Sequence, residues 1–482
     1  MSSTAKVARV HEAGGPEVPL RENLPVALAL NEELAGPVVT AAPVKLCDRI
    51  SSIDVLRGVA LLGILVLNIE EFGGVEAFHD IPVGGPIDNF AGPHAQMNLI
   101  LLFIKWMFFE GKMRGIFSML FGAGVILLTS RGERRGNEDV ADIYIRRNLL
   151  LMLFGILHDC FIWSGYILFD YGFEALLFLY PFRKLKAKTL LWIGTLLSLT
   201  VATIGMVLFQ GAGRDLQFSR DAAKIRAQQS LGRPVTRQQK QILDQWQARI
   251  DSEAITPAGI KQEVAEAELP YFSDVLNRAQ KEFQGGFYVL HIDLMVDMVS
   301  AMLIGMGLMK IGFFSAELPV STYVWTALIG FGISLPLTAI GVVRVYASHF
   351  YFLDVEKWLF LPYYIERESG SLAICAVVLL SVKAGICTAP QRWLAAVGRT
   401  AFSNYVLTSI ICQTIFLWGP WKLFGKLAYY QEMYVVFGVW TFNLLASSLW
   451  LRSFGFGPLE WVWRSLTYGT IQQMRASKHQ TV

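Results

Sequence analysis

Apolar runs about as long as a bilayer is thick recur along this chain, and they limit the folds open to it. The first run, residues 53–68, reads IDVLRGVALLGILVLN. A helix needs about 20 consecutive apolar residues to cross the hydrocarbon layer. With 54% hydrophobic and 13% aromatic residues, the 482-residue chain is too apolar for a soluble protein. We therefore predict an all-α fold, a polytopic helical membrane protein with about ten transmembrane helices.

Charged residues beside the apolar runs orient the predicted helices, because cytoplasmic loops are enriched in Lys and Arg. Lys45, Arg49 and Arg57 precede or open the first helix. Residues 70–95, which follow it, carry Glu and Asp but no Lys or Arg. We therefore expect both termini to be cytoplasmic, since an even number of crossings returns the chain to the side where it began.

The predicted spans divide the chain into two membrane regions around one polar insert. The spans lie at about 53–69, 113–130, 148–163, 167–182, 190–209, 289–310, 321–343, 369–386, 400–418 and 431–451. The crossing count between residues 96 and 130 stays open. The predicted parts are a disordered cytoplasmic tail at 1–48, transmembrane helices at 49–210, an extracytoplasmic insert at 211–286, transmembrane helices at 287–470 and a tail at 471–482. We expect the insert to contain amphipathic helices that lie on the membrane.

Several function classes find no support in the sequence. The net charge of +3 is too small to indicate a nucleic-acid partner. The five cysteines show no CxxC spacing, so neither a disulfide framework nor a zinc site is indicated. The GxSxG, P-loop and dinucleotide motifs are lacking, and no HExxH-type pair suggests a metal. The apolar composition makes the lipid bilayer the expected partner.

The first predicted helix opens with Asp54 and Arg57, whose spacing of three residues places them on one helix face. The two side chains can neutralise each other at the cytoplasmic edge of the membrane. A plain anchor, with Asp54 as the helix cap and Arg57 extended to the interface, is the alternative. Asn68 ends the same helix with an amide.

A predicted helical hairpin carries a candidate general base. His158 lies near the outer end of one helix, and Asp170 lies on the next helix after the turn. A histidine beside a carboxylate is suited to proton transfer, because its unperturbed pKa of about 6.5 lies near working pH. The alternative is a buried histidine that bonds to a backbone carbonyl.

Other polar groups within predicted apolar segments are further candidates, because an ionisable group inside a bilayer costs roughly 2.5 to 3.5 kcal/mol. The candidates for a substrate pocket are Asn68, Glu110, Lys112, Arg114, His291, Asp297 and Asn404. Asp297 lies deeper in its helix than a helix-dipole role would require. Asn404 is suited either to binding a ligand or to joining two helices by a hydrogen bond.

Motifs spread over residues 49–470 carry a family resemblance. They include RISSIDVLRGVALLGILVLN, MRGIFSMLFGAG, LLLMLFGILHD and the closing SFGFGPLEWVWRSLTYG. Together they resemble the bacterial YeiB-type family of membrane proteins of unknown function. That family is similar to a wider transmembrane acyltransferase group, which includes the heparan-glucosaminide N-acetyltransferase.

The resemblance implies a donor, a location and residue roles. Members of the wider group take an acyl group from cytoplasmic acyl-CoA and deliver it to an acceptor, usually a sugar, across the membrane, so the resemblance implies a small-molecule or glycan acceptor as partner. Asp54, Arg57 and Gly58 match the DxxRG opening of that group's first helix, and His158 is the best match to its base. Asp170 would replace an acidic residue of the family's turn, where this chain has Tyr166. The resemblance also implies the bacterial inner membrane, and a homo-oligomer stays open.

Three hypotheses therefore remain. The first is a membrane acyltransferase in which Arg57 faces acyl-CoA phosphates and His158 serves as the base. The second is a transporter of a small polar or lipid-linked molecule, in which the buried charges line a pathway. The third is a non-catalytic structural or signalling membrane protein.

Overall fold

A computed structural model describes residues 51–75, 79, 90–134, 139–165, 167–202, 204, 212–253, 256–285 and 292–475. These residues are almost entirely helical, and their β pairing is one isolated bridge between Phe454 and Arg475. The predicted all-α fold class is confirmed for the described residues. The N-terminal tail, most of the C-terminal tail, Tyr166 and His291 lie outside the described residues.

In the described part of the chain, six helices of eight or more residues precede the insert. They are α1 (Ser51–Gly73), α2 (Ala95–Phe108), α3 (Lys112–Arg134), α4 (Val140–Phe161), α5 (Ile167–Glu174) and α6 (Ala187–Leu196). Wider π-helical turns extend α5 through Ala175–Leu179 and α6 through Leu197–Ala202. Gly111 makes the turn between α2 and α3 with a φ of 66°, a conformation that favours glycine.

The insert is helical, as the sequence predicts. Its helices are α7 (Ala212–Ser230), α8 (Arg237–Glu253), α9 (Pro257–Ala267) and α10 (Tyr271–Gly285). Thr256 caps α9 by accepting a hydrogen bond from the Gly259 amide at 3.1 Å. Between α9 and α10, Lys281 donates to Glu266 at 2.9 Å, and this hydrogen bond lowers the pKa of the Glu266 carboxyl.

Seven helices of eight or more residues follow the insert. They are α11 (Ile292–Lys310), α12 (Val320–Ala347), α13 (Tyr363–Lys383), α14 (Thr388–Arg399), α15 (Ala401–Gln413), α16 (Tyr429–Trp450) and α17 (Pro458–Tyr468). A π-helical turn, Thr414–Trp418, continues α15. A short helical segment between α12 and α13 packs Phe352 and Leu353 against Trp246 of the insert.

Five helical stretches of the described chain are long and apolar enough to cross a membrane. They are Ser51–Gly73, Ala95–Glu133, Val320–Ala347, Ala401–Trp418 and Tyr429–Trp450. The apolar stretch Ala187–Thr200 is shorter. The predicted count of about ten crossings and the cytoplasmic location of both termini therefore stay predictions.

Two helices begin earlier than the sequence pattern indicates, and both differences matter for function. Helix α4 begins at Val140 rather than near residue 148, so Arg147 is part of the helix. Helix α13 begins at Tyr363 rather than near residue 369, after Pro362. At the start of α13 the charged residues Glu366, Arg367 and Glu368 are buried by helix packing, whereas at the start of α4 Arg146 is exposed and Arg147 is half-buried.

Small residues allow the helices to approach closely, as FGAG and GMG in the sequence predict. A Cβ atom on Gly122 would lie 2.0 Å from the Met302 carbonyl oxygen, and one on Gly305 would lie 1.9 Å from that of Met119. Helices α3 and α11 are therefore in backbone contact at both glycines.

Replacing Gly305 by valine is expected to destabilise the protein, because the added carbons cannot fit between α11 and α3. Overpacking costs about 1–3 kcal/mol or more, so the midpoint of thermal unfolding in detergent should fall clearly. Gly332→Val is the matched control, since a Cβ atom on Gly332 meets nothing within 4 Å. Equal midpoints for the two variants would contradict the observed helix contact.

Candidate functional site

A cavity of about 290 Å³ lies among α1, α3, α4, α5, the α14–α15 junction and α17. Asp54 and Arg57 line it, as does Asn148 of α4. Its volume is close to the lower limit of small-ligand pockets, roughly 300 Å³. The lining divides into a charged end near the start of α1 and an apolar interior.

Five arginines gather at the charged end of the cavity. They are Arg57, Arg131, Arg147, Arg399 and Arg464. They come from α1, α3, α4, α14 and α17, so the cluster exists only in the folded chain. Two acidic residues, Asp54 and Glu460, line the same end. Guanidinium groups therefore outnumber carboxyl groups five to two, and this end of the cavity is suited to an anion.

Neighbouring groups fix the arginine side chains. Arg57 donates to Asp54 at 2.9 Å and to the Gly398 carbonyl at 3.3 Å. The Arg147 guanidinium lies 4.1 Å from the centre of the Trp463 ring. These contacts hold the planar guanidinium groups in position at the charged end, and a guanidinium group is suited to binding phosphate oxygens. The predicted pairing of Asp54 with Arg57 is confirmed.

Glu460 has a structural role at the same end. Its carboxylate accepts hydrogen bonds from the backbone amides of Phe402, at 2.7 Å, and Ser403, at 3.2 Å. The Ser403 hydroxyl also donates to it. Glu460 of α17 therefore satisfies the free amides at the start of α15, so its negative charge is already engaged.

The interior of the cavity is apolar and narrow. It is lined by Leu61, Ile64, Phe117, Leu120, Phe121, Leu128, Leu151, Ile167 and Leu168 among others. Gly124 of α3 also lines it, and a Cβ atom there would meet nothing within 4 Å. The absence of a side chain at Gly124 therefore keeps this part of the cavity open.

Two tyrosines add hydroxyl groups to the apolar lining. Tyr171 shares a hydrogen bond of 2.7 Å with Ser118, a fully buried residue of α3. Tyr405 donates to the Gly165 carbonyl at 2.7 Å. Both hydroxyl groups are thereby held in place, and both residues line the cavity.

His158 lies behind Tyr405 and does not line the cavity. The two ring centres are 5.1 Å apart. The Nε2 atom of His158 lies 3.0 Å from the Ser409 hydroxyl, and the histidine is only 3% exposed. Asp170 is half-buried on α5. The cavity that contains Arg57 therefore approaches His158 but is separated from it by one aromatic ring.

A second polar cluster contains four of the candidate residues. Asp297 forms ion pairs with Arg367 and, at 4.0 Å, with Arg114. Arg114 donates to the Tyr363 hydroxyl, which donates in turn to Glu110, both at 3.1 Å. The structure thus brings Glu110, Arg114 and Asp297 together.

Lys112 extends this cluster towards α12. Its ammonium donates to the Trp106 carbonyl at 2.8 Å and approaches the Thr338 hydroxyl at 3.4 Å. Thr338 donates to Glu366 at 2.8 Å. Lys112 and Glu366 are both buried. Buried charges in such numbers are costly unless paired and are rare inside membranes.

Sequence reasoning missed the part of this cluster that α13 contributes. Glu366, Arg367 and Glu368 are all buried near the start of α13. The sequence pattern places these residues between two predicted spans, in a segment whose aromatic residues are typical of the membrane interface. Pro362, directly before α13, is a helix-start signal, but it does not indicate that the charges are buried.

The remaining candidates have separate locations. Asn404 donates to the hydroxyl groups of Thr400 and Ser447, at 3.0 and 2.8 Å, and so joins α15 to α16. Asn68 is half-buried in α1 and does not line the arginine-lined cavity. The prediction for His291 falls outside the described residues.

No group of three or more His, Cys, Asp and Glu side chains among the described residues is arranged to hold a metal ion. The arginine end of the cavity fits an anionic group, and its interior fits an apolar chain. The residues present are therefore compatible with acyl-CoA.

Comparisons with known proteins give a family but no activity. Residues 308–470 match the family model described as "Protein of unknown function (DUF418)". The chain is 28% identical over 429 residues to uncharacterized protein YxaH of Bacillus subtilis, covering 87% of this chain and 94% of YxaH. It is 29% identical over 437 residues to uncharacterized protein YeiB of Escherichia coli, covering 87% and 96%. No solved structure matches the chain.

Proposed function

We propose a function for this chain, which belongs to the bacterial YeiB-type family of uncharacterised proteins. It is a membrane acyltransferase that takes its acyl group from cytoplasmic acyl-CoA. The observation that carries the proposal is the cavity with five arginines at one end and an apolar interior. Acyl-CoA has the matching chemistry, because its phosphates are anionic and its acyl-pantetheine arm is slender and largely apolar.

The arginines bind the phosphates in this proposal. Arg147 and Arg464 are each stacked on an aromatic ring, at 4.1 and 4.4 Å from its centre. Arg399 donates to the Gly455 carbonyl at 3.4 Å. Because these groups are already positioned, little side-chain freedom is lost when phosphate binds. The nucleotide stays outside the cavity, and the thioester reaches the apolar interior.

The acyl group then passes to an acceptor, which approaches from the side of the membrane opposite to the bound CoA. The acceptor oxygen or nitrogen forms a bond to the thioester carbonyl carbon, and the carbon–sulfur bond breaks. The proton that the acceptor loses passes through a base to the CoA thiolate. His158 is the proposed base; because the Tyr405 ring lies between it and the cavity, that ring must move aside for the proton transfer. The acceptor is a sugar or another hydroxyl or amine compound.

Binding of CoA is the direct test of this proposal. Purified protein in detergent should bind radiolabelled acetyl-CoA, with an affinity that falls as salt is added. Arg147→Gln should weaken binding about 10- to 100-fold, because a hydrogen bond to a charged group contributes about 1.5–3 kcal/mol.

Arg183→Gln is the matched control for Arg147→Gln. Arg183 also stacks on an aromatic ring, that of Tyr180 at 3.7 Å, but it does not line the cavity. Its replacement should leave CoA binding unchanged. No CoA binding by the folded wild-type protein, or equal losses in the two variants, would overturn the proposal.

A second candidate function, transport of a small polar or lipid-linked molecule, is favoured by the buried ion pairs of Arg114, Asp297 and Arg367. Charged groups inside a membrane protein often line a pathway. Flux into proteoliposomes that occurs without acyl-CoA and is lost in Asp297→Asn would support this function instead.

A further inference from the structure

A second cleft, of about 600 Å³, lies at the opposite end of the helices from the five arginines. Its walls come from the α9–α10 turn and from the end of the α15 π-turn with the loop that follows. Aromatic side chains supply much of the lining, namely Tyr271, Phe416, Trp418 and Phe424. The charged residues of the lining are Glu268, Asp274 and Lys422.

Helix α10 is held in place on the outer end of α4. The Tyr271 hydroxyl donates to the Phe161 carbonyl at 2.9 Å. Arg278 donates to the Asp159 carbonyl at 3.3 Å and forms an ion pair of 2.8 Å with Asp274. The wall that α10 contributes is therefore fixed by hydrogen bonds to the membrane helices.

Helices α4 and α10 each carry exposed apolar side chains. Exposed apolar residues follow α4 every four residues, at Leu149, Leu153, Leu157 and Phe161. In a membrane protein such a stripe faces lipid. Phe272 and Leu276 of α10 are 79% and 71% exposed and share one helix face. Tyr271 of α10 is bonded to Phe161, the last residue of this stripe, and an exposed apolar face is expected of a helix at the membrane interface.

The aromatic rings in the cleft form two walls of a box. Tyr271 and Trp418 have ring centres 5.4 Å apart and planes at 87° to each other. The electron-rich faces of aromatic rings attract ammonium groups. Glu268 adds a carboxylate to the lining of the cleft, and Lys422 adds an ammonium group. Trp421, beside Lys422, is 63% exposed, as is typical of a residue at the membrane interface.

We propose that this cleft binds the headgroup of a zwitterionic membrane lipid. The lipid ammonium lies against Tyr271, Trp418 and Glu268, and its phosphate lies against Lys422. The acyl chains extend past Phe272 and Leu276 into the bilayer. Asp274 is engaged by Arg278, so Glu268 is the carboxylate that selects the ammonium. The inference is independent of the proposed acyl transfer.

Photolabelling of the full-length protein in vesicles tests this inference. Vesicles of phosphatidylglycerol would contain a small fraction of a photoactivatable lipid, either phosphatidylcholine or phosphatidylglycerol. We expect the phosphatidylcholine probe to label peptides containing Tyr271 and Trp418 several-fold more than the anionic probe does. Unlabelled phosphatidylcholine should compete with this labelling.

Two variants and one control define the site. Trp418→Ala and Glu268→Gln should each reduce phosphatidylcholine labelling to the level of the anionic probe. Glu268 is exposed, so its replacement does not threaten folding. Trp325→Ala, at an exposed tryptophan of α12 outside the cleft, should have no effect. Equal labelling by the two probes, or labelling unchanged by Glu268→Gln, would overturn the inference.

Discussion

Replacing Gly124 by leucine is expected to abolish the binding of acyl-CoA, with at least a 100-fold loss of affinity. Gly124 lines the cavity, and a Cβ atom there meets nothing within 4 Å. A leucine side chain would therefore extend into the open interior without displacing a neighbouring helix. Since the cavity measures about 290 Å³, one such side chain blocks the path of a slender acyl arm. Isothermal titration with acetyl-CoA measures the effect.

Gly438→Leu is the matched control for this experiment. A Cβ atom on Gly438 also meets nothing within 4 Å, but the residue is exposed on α16 and does not line the cavity. Both variants should retain the thermal stability of the wild type. If Gly124→Leu binds acetyl-CoA as tightly as Gly438→Leu does, the cavity is not the acyl-CoA site.

The pairing of Asp54 with Arg57 was accessible from the sequence because it depends on helix geometry alone. Residues three apart on a helix lie on one face, and the structure has the expected ion pair. The same reasoning cannot find the other arginines of the cluster. Arg147 and Arg399 are 252 residues apart in the chain, and only the packing of α4 and α14 around one cavity brings both to its charged end.

The basic residues of the cavity also show how one pattern can have two meanings. In the sequence, Arg131, Arg147 and Arg464 serve to orient helices by the positive-inside rule. The rule predicts only on which side of the membrane a basic residue lies, whereas ligand binding depends on where its side chain points. Tertiary contacts, such as that of Arg147 with Trp463, set this orientation, and a hydropathy pattern cannot predict them.

The buried cluster on α13 was missed for a related reason. Hydropathy assigns charged residues to water, so Glu366, Arg367 and Glu368 were placed before the helix. Their burial is offset by partners on other helices, above all by the Arg367–Asp297 ion pair. The sequence around residue 366 does not show that Asp297 will be its neighbour in the fold. Without that partner, three charged residues in a row indicate a loop.

Replacing His158 by glutamine is expected to reduce acyl transfer about 100-fold or more while leaving acyl-CoA affinity unchanged. General acid–base catalysis contributes about 10²- to 10⁴-fold to enzymatic rates. His158 does not line the cavity, so its loss should not disturb the bound donor. Glutamine keeps a polar group near the Ser409 hydroxyl, which limits structural change. Transfer is measured with radiolabelled acetyl-CoA, and affinity is measured by titration.

His94→Gln separates a catalytic role from the general effect of removing a histidine. His94 also lies against a tyrosine, Tyr430, with ring centres 4.6 Å apart, but it does not line the cavity. Its replacement should leave transfer unchanged. If His158→Gln retains wild-type transfer, proton transfer must use another group, and Tyr171 or Tyr405 becomes the candidate. If it loses affinity and rate together, His158 supports the cavity wall and is not a base.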